Sequence, residues 1–192
     1  MFKQTRLLLP LAALAALAVT GCNLVSGQFV LTYNFRDHGF DPITVNAADS
    51  VAGVRVDLKT IPAYREHKKD LKDITDLAVV GKITNLDANA PVDVAVWLVP
   101  KPGMGANSAL LTTDAQVRAA GYRVWGPLHL GPGEVRDVDW NSSSQLFTNT
   151  GRQVVMAQTR GDGRFDLYTL GSNGYHYKVE NASIIAVIAG GH

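Results

Sequence analysis

The sequence predicts an all-β chain folded as an antiparallel sandwich of two packed sheets. Three observations carry that expectation. Large apolar residues recur at every second position, as in Phe29, Leu31, Tyr33 and Phe35, or Val92, Val94, Val96 and Leu98. That spacing puts them on one face of an extended strand. The alternating stretches are short and are punctuated by Gly, Pro, Asn and Asp, residues that turn the chain. Helical spacing is confined to residues 64–74, 113–120 and 142–147, so helix is expected to stay below about a third of the chain.

In chain order, residues 29–35 form the first strand, Asp37 to Pro42 a turn, and residues 43–45 a short strand. Val54, Val56 and Leu58 alternate next, with Arg55 and Asp57 on the opposite face. Residues 64–74 are rich in charge and read as one or two turns of surface helix, with Leu71 and Ile74 on its apolar edge. Residues 78–86 and 92–99 are the firmest strands. The five-residue turn between them, Asp87 to Pro91, predicts an antiparallel hairpin at the centre of the core. Val94, Val96 and Leu98 point to one face of it and Trp97 to the other.

Residues 100–109 are a Pro/Gly-rich loop, and Thr113 caps a short helix. Residues 122–130 resume as strand, with Gly126-Pro127 marking a bulge or an edge. Gly131 to Glu134 is a turn and residues 135–140 a strand. Residues 154–158 and 165–170 read as a hairpin around Arg160-Gly161-Asp162-Gly163, and residues 175–179 and 184–189 as two closing strands.

The Gly-containing strand, Asn-led turn and Val-rich strand of residues 78–99 resemble immunoglobulin-like sandwich domains. A jelly roll is the other sandwich that the strand spacing fits. Neither likeness implies a function.

The N-terminus is of a different kind. Lys3 and Arg6 precede an apolar run from Leu7 to Val19, the layout of a secretory signal peptide. The run is interrupted by Pro10 and falls short of the roughly 20 apolar residues of a spanning helix. It closes on Val19-Thr20-Gly21-Cys22, and Cys22 is the only cysteine. This tetrad resembles the lipobox of bacterial lipoproteins. The resemblance implies a diacylglyceryl group on the Cys22 sulfur, cleavage before it, and acylation of the new N-terminus. More than one acyl chain, at about 0.8 kcal/mol per buried methylene, anchors firmly without a spanning helix. The resulting division is a signal peptide at 1–21, a lipidated tether at 22–27 and a single sandwich domain at 28–189. Asn23, in place of the Asp that retains some lipoproteins in the inner membrane, tilts the expectation toward the outer membrane.

Without the leader, which holds Lys3 and Arg6, 16 basic side chains face 17 acidic ones. That balance points to no nucleic-acid partner. With Cys22 committed to lipid, the fold relies on its apolar core rather than a disulfide.

No local signature of an enzyme stands out. There is no nucleophile elbow, no phosphate loop and no HxH or HxxxH pair. No cofactor is expected. Glu134, Asp137 and Asp139 are the best metal candidates, because Asp137 and Asp139 share a strand face and hard carboxylate oxygens suit calcium. A solvated polar face explains them as well. Trp97, Trp125 and Trp140 offer a sugar-binding platform if exposed together, and core packing otherwise. Arg160-Gly161-Asp162 matches an adhesion tripeptide, although the turn chemistry of Asp-Gly accounts for it. The reading is a lipid-anchored, non-enzymatic binding or assembly module of the bacterial envelope. Its partners are the membrane through Cys22 and another envelope protein or a cell-surface glycan. The alternatives are a carbohydrate- or calcium-dependent binding lipoprotein, and a hydrolase whose site is assembled from distant loops.

Overall fold

The computed structural model describes residues 27–46, 51–100, 109–172 and 176–190. β1 (Gln28–Asn34) follows the predicted alternation: Leu31, Tyr33 and the following Phe35 are buried, while Val30 and Thr32 face out. Burial, reinforced by the charge of Asp57, pushes the Tyr33 phenol up to about 12. β2 (Ile43–Val45) and β3 (Val51–Asp57) follow, and α1 (Pro62–His67) starts on a proline that fits the first helical turn. The remaining elements are β4 (Leu71–Asn85), β5 (Val92–Pro100), α2 (Asp114–Ala120), β6 (Tyr122–Leu130), β7 (Val135–Val138), α3 (Trp140–Ser144), α4 (Asn149–Arg160), β8 (Arg164–Ser172) and β9 (Tyr177–Gly190).

Two antiparallel sheets result. The first runs β1-β9-β4-β7, with β2 also paired to β9; the second runs β3-β8-β5-β6. Leaving β2 aside, the eight main strands pair as one long hairpin. β1 lies with β9, β3 with β8, β4 with β7, and β5 with β6. Rolling that hairpin up adds the pairs β4 with β9 and β5 with β8. This is the wiring of a jelly roll, two sheets that enclose one core. Helix makes up 26% of the described residues, below the third that would argue against a sandwich.

The expected hairpin of residues 78–99 does not form. β4 and β5 are both strands, but they lie in different sheets, so the turn between them crosses the sandwich. The Asn85 side chain explains the crossing. Its amide donates to Ala90 O and Gly131 O, both at 2.8 Å, and its carbonyl accepts from the Asp87 N–H. It therefore ties this turn to the one after β6 instead of to a partner strand. The central placement of β5 is as expected. It lies between β6 and β8, with Val92, Val94 and Leu98 buried on the inner face and Val99 buried on the outer.

Four other segments differ from their sequence reading. Residues 71–74 begin β4 rather than ending a helix, because Leu71 and Ile74 pair with β9. Residues 154–158 belong to α4, in which Gly151, Val155, Met156 and Thr159 form the buried face. The expected strand 135–140 stops at Val138, since the Asp139 side chain accepts from Ser142 N and starts α3. The two closing strands are one, β9, kinked where Asn181 takes a positive φ of 53° opposite a register shift at Gly81. Gly81 has φ 152°, and a Cβ there would come within 3.0 Å of the Ala182 Cα, so the bulge needs glycine. Of the predicted loop at 100–109, residues 101–108 lie outside the described residues.

The core fills the space between the sheets, with Trp125, Tyr64, Tyr177, Leu77 and Ile188 fully buried. Within it a small apolar cavity of about 50 Å³ is bordered by Phe35, Val54, Val94 and Trp125. A second, smaller cluster of Val99, Val117, Tyr168 and Leu170 lies on the outer face of the β5 sheet.

Candidate functional site

That outer cluster sets up a small pocket on the outer face of the β5 sheet. Thr113 accepts from the Gln116 N–H and starts α2, as expected of a threonine cap. Val117, wholly buried, presses the helix onto Val99, Tyr168 and Leu170. The approach is close, because a Cβ on Gly121 would lie 2.9 Å from Leu98 O. The Tyr168 hydroxyl accepts from the Leu111 N–H at 2.9 Å and pins the chain leading into the helix. Burial, ahead of the neighbouring Asp166 carboxylate, raises the Tyr168 phenol above its ordinary value.

Beside the helix, Trp97 points outward from β5, with Arg123 of β6 and Tyr168 of β8 as its cross-strand neighbours. The Arg118 guanidinium stands 5.2 Å from the centroid of the Trp97 ring and pairs with Asp114 one turn back. Such a cation over an indole is attracted by the ring quadrupole. Arg123 forms no side-chain hydrogen bond or ion pair with a described residue. Trp97, Arg118, Arg123, Asp93 and Pro127 thus border a cavity of about 180 Å³. Asp93, one of its lining residues, pairs with His129 at 2.9 Å. That volume falls below the usual range for drug-sized ligands and suits a single small ring or anionic group. The chemistry offered is an indole and a guanidinium, and among the described residues no nucleophile and base meet there.

Two other spaces carry less. A groove of about 520 Å³ between β4 and α4 is larger, but its cations serve the fold. Arg152 donates to Ser144 O and stands over the Phe147 ring, and Arg160 donates to Leu71 O. The cavity between the sheets is lined almost wholly by hydrocarbon and is too small for an organic ligand.

The carboxylates proposed for a metal do not converge. Glu134 accepts from the Gly131 N–H at 2.7 Å and pairs with Arg136, and these two contacts hold its carboxyl below the usual range. Asp139 caps α3 through the Ser142 hydroxyl and N–H, which lower its carboxyl likewise. Asp137 stays on β7, in register with Lys82 of β4. Among the described residues no three His, Cys, Asp or Glu side chains lie close enough to hold an ion.

The tryptophans are equally dispersed. Trp97 is on the outer face, Trp125 is in the core bonded to Ser143, and Trp140 on α3 donates to Asp76 at 2.8 Å. Arg160-Gly161-Asp162 ends α4, where Asp162 accepts from the Arg164 N–H. Cys22 lies outside the described residues. Reading the sequence alone missed Arg118 and Arg123. The available signal was the capped helix at Thr113, which puts Arg118 next to its one buried residue, Val117.

No protein-family model matches the chain, and a search of curated proteins finds no match.

Proposed function

We propose that this chain is a lipid-anchored, non-enzymatic binding or assembly module of a bacterial envelope, with the outer membrane favoured over the inner. The observation that supports it is the position of the sole cysteine. Cys22 closes the lipobox-like tetrad five residues before Gly27, where the described jelly roll begins. Five residues span at most about 18 Å, so a lipid on Cys22 would hold the domain against the membrane surface. No helix among the described residues is long and apolar enough to cross a membrane. Cys22→Ser is expected to move the protein from the detergent phase to the aqueous phase in detergent phase separation. Equal partitioning of wild type and variant would refute the anchor.

The pocket beside Trp97 favours a second reading, a lipoprotein that binds an acidic glycan. The indole offers a face to a sugar ring, and Arg123 offers a guanidinium to its carboxylate. Titration with uronic-acid oligosaccharides separates the two readings. The glycan reading requires indole fluorescence changes that disappear in Arg123→Ala.

A further inference from the structure

A strand at the edge of a sheet exposes a row of N–H and C=O groups that invites another strand, and folded proteins protect such edges. This jelly roll protects its other edges by visible means, and β2, paired only with β9, has just three residues. β7 has only four residues, with Arg136 and Asp137 pointing out. The early part of β4 on that side carries two register shifts, and its Ile74, Leu77 and Val79 N–H groups are taken by Asp73, Asp76 and Ser143. β6 contains Pro127 and is covered by residues 146–148, through Gly126 N–H to Leu146 O and Thr148 N–H to Val124 O. β3 carries Arg55 and Asp57, and the Arg55 carbonyl accepts from the Tyr33 hydroxyl.

Among the described residues β1 meets α1 through Phe29 and His67 but has none of these protections. It ends the first sheet, runs seven residues in unbroken register with β9, and contains no charge, proline or bulge. Its free side can be assigned. The Gly27 C=O and the Phe35 N–H both bond to β9. In an antiparallel ladder these directions alternate, so the odd residues face β9. Gln28, Val30, Thr32 and Asn34 therefore turn their N–H and C=O groups outward, and no described residue bonds them. On the solvent side of the sheet Val30 is 54% exposed, a high value for a valine in the middle of a strand.

We propose that this edge pairs with β1 of a second copy, antiparallel about Leu31, so that the two first sheets join into one. The side chains suit self-pairing. With Leu31 opposite Leu31, Val30 meets Thr32 and Phe29 meets Tyr33. Gln28 meets Asn34, amide to amide. No like charges face each other at any position. The outward N–H and C=O groups of Val30 and Thr32 bond across the seam as directly opposed pairs, and Leu31 takes the closer, non-bonded position at the two-fold axis. This inference rests on the strand edge alone and is independent of the anchor.

The test is sedimentation equilibrium of the full chain in density-matched detergent across a concentration series. Wild type is expected to approach twice the mass of one chain. The double variant Val30→Lys/Thr32→Lys sets lysine against lysine and should halve that mass, with circular dichroism and thermal midpoint unchanged. Val30→Pro is a second, independent break. It removes an N–H that points away from β9, so the fold keeps its own ladder while the seam loses a bond. A wild type of single mass at every concentration overturns the proposal. So does a double-lysine or proline variant that retains twice the mass.

Discussion

Trp125→Ala is expected to remove about 3–5 kcal/mol of unfolding free energy, the range for deleting a large buried aromatic. That is a large share of the roughly 5–15 kcal/mol by which a domain is stable. Trp125 has no exposure, and its ring borders the existing cavity between the sheets. Truncation would enlarge that cavity rather than let neighbours collapse, because β5 and β6 are held by their ladder on one side and α4 on the other. The indole N–H also donates to Ser143 at 3.0 Å to the hydroxyl and 3.1 Å to the carbonyl. The same hydroxyl accepts from the Val79 N–H across the sandwich at 2.7 Å. One residue thus links both sheets and α3. Urea unfolding gives the measurement, and Trp125→Phe, which retains most of the apolar area, should lose distinctly less. An alanine variant with the wild-type midpoint would contradict this map of the core.

Arg55→Met is expected to cost about 3–5 kcal/mol, as when one partner of a buried ion pair is removed. Asp166 of β8 has no exposed surface, and Arg55 of β3 grips it with two bonds, Nε at 2.8 Å and Nη2 at 3.1 Å. The Tyr168 hydroxyl adds a longer contact at 3.4 Å, and its ring lies over Gly53, where a Cβ would come 2.4 Å from it. Without the guanidinium the carboxylate stays inside with its main counter-charge gone. Replacing both residues by Arg55→Met/Asp166→Leu should recover much of the loss, since an apolar pair of similar volume is often neutral. Thermal unfolding of the two single variants and the double closes the cycle. A double variant no more stable than Arg55→Met would show that the pair is not the unit at stake.

Residues from Phe29 to Phe35 and from Val92 to Val99 announced their strands because one face of each is apolar and alternation survives any choice of partner. Which strand lies beside which did not follow. The short turn after Asn85 predicts a hairpin on length alone, whereas the Asn85 amide bridges two turns that are 46 residues apart at the Gly131 contact. The misreading of α4 has a local cause. Val154, Val155 and Met156 are adjacent and mostly β-branched, so propensity favours strand, but Gly151, Val155 and Thr159 recur at helical spacing behind the Thr148 cap. The pocket beside Trp97 was half legible. Trp97 was visible as one of three tryptophans, whereas Arg118 reaches it only because α2 is folded back against the β5 sheet, and Arg123 only because β6 pairs with β5.

The rolled-up hairpin wiring also fixes an order of events in synthesis. β9 occupies the middle of the first sheet, between β1 and β4, yet it follows all the other described strands in chain order. Until it emerges, β1 has no partner and β4 has only the short β7. Folding dominated by such distant pairings is slow, on the order of milliseconds to seconds. The growing chain therefore carries apolar strands without neighbours until β9 has emerged, which exposes it to misassembly. A truncation that removes β9 takes away the ladder on which the whole first sheet hangs, even though more than nine-tenths of the sequence precedes it.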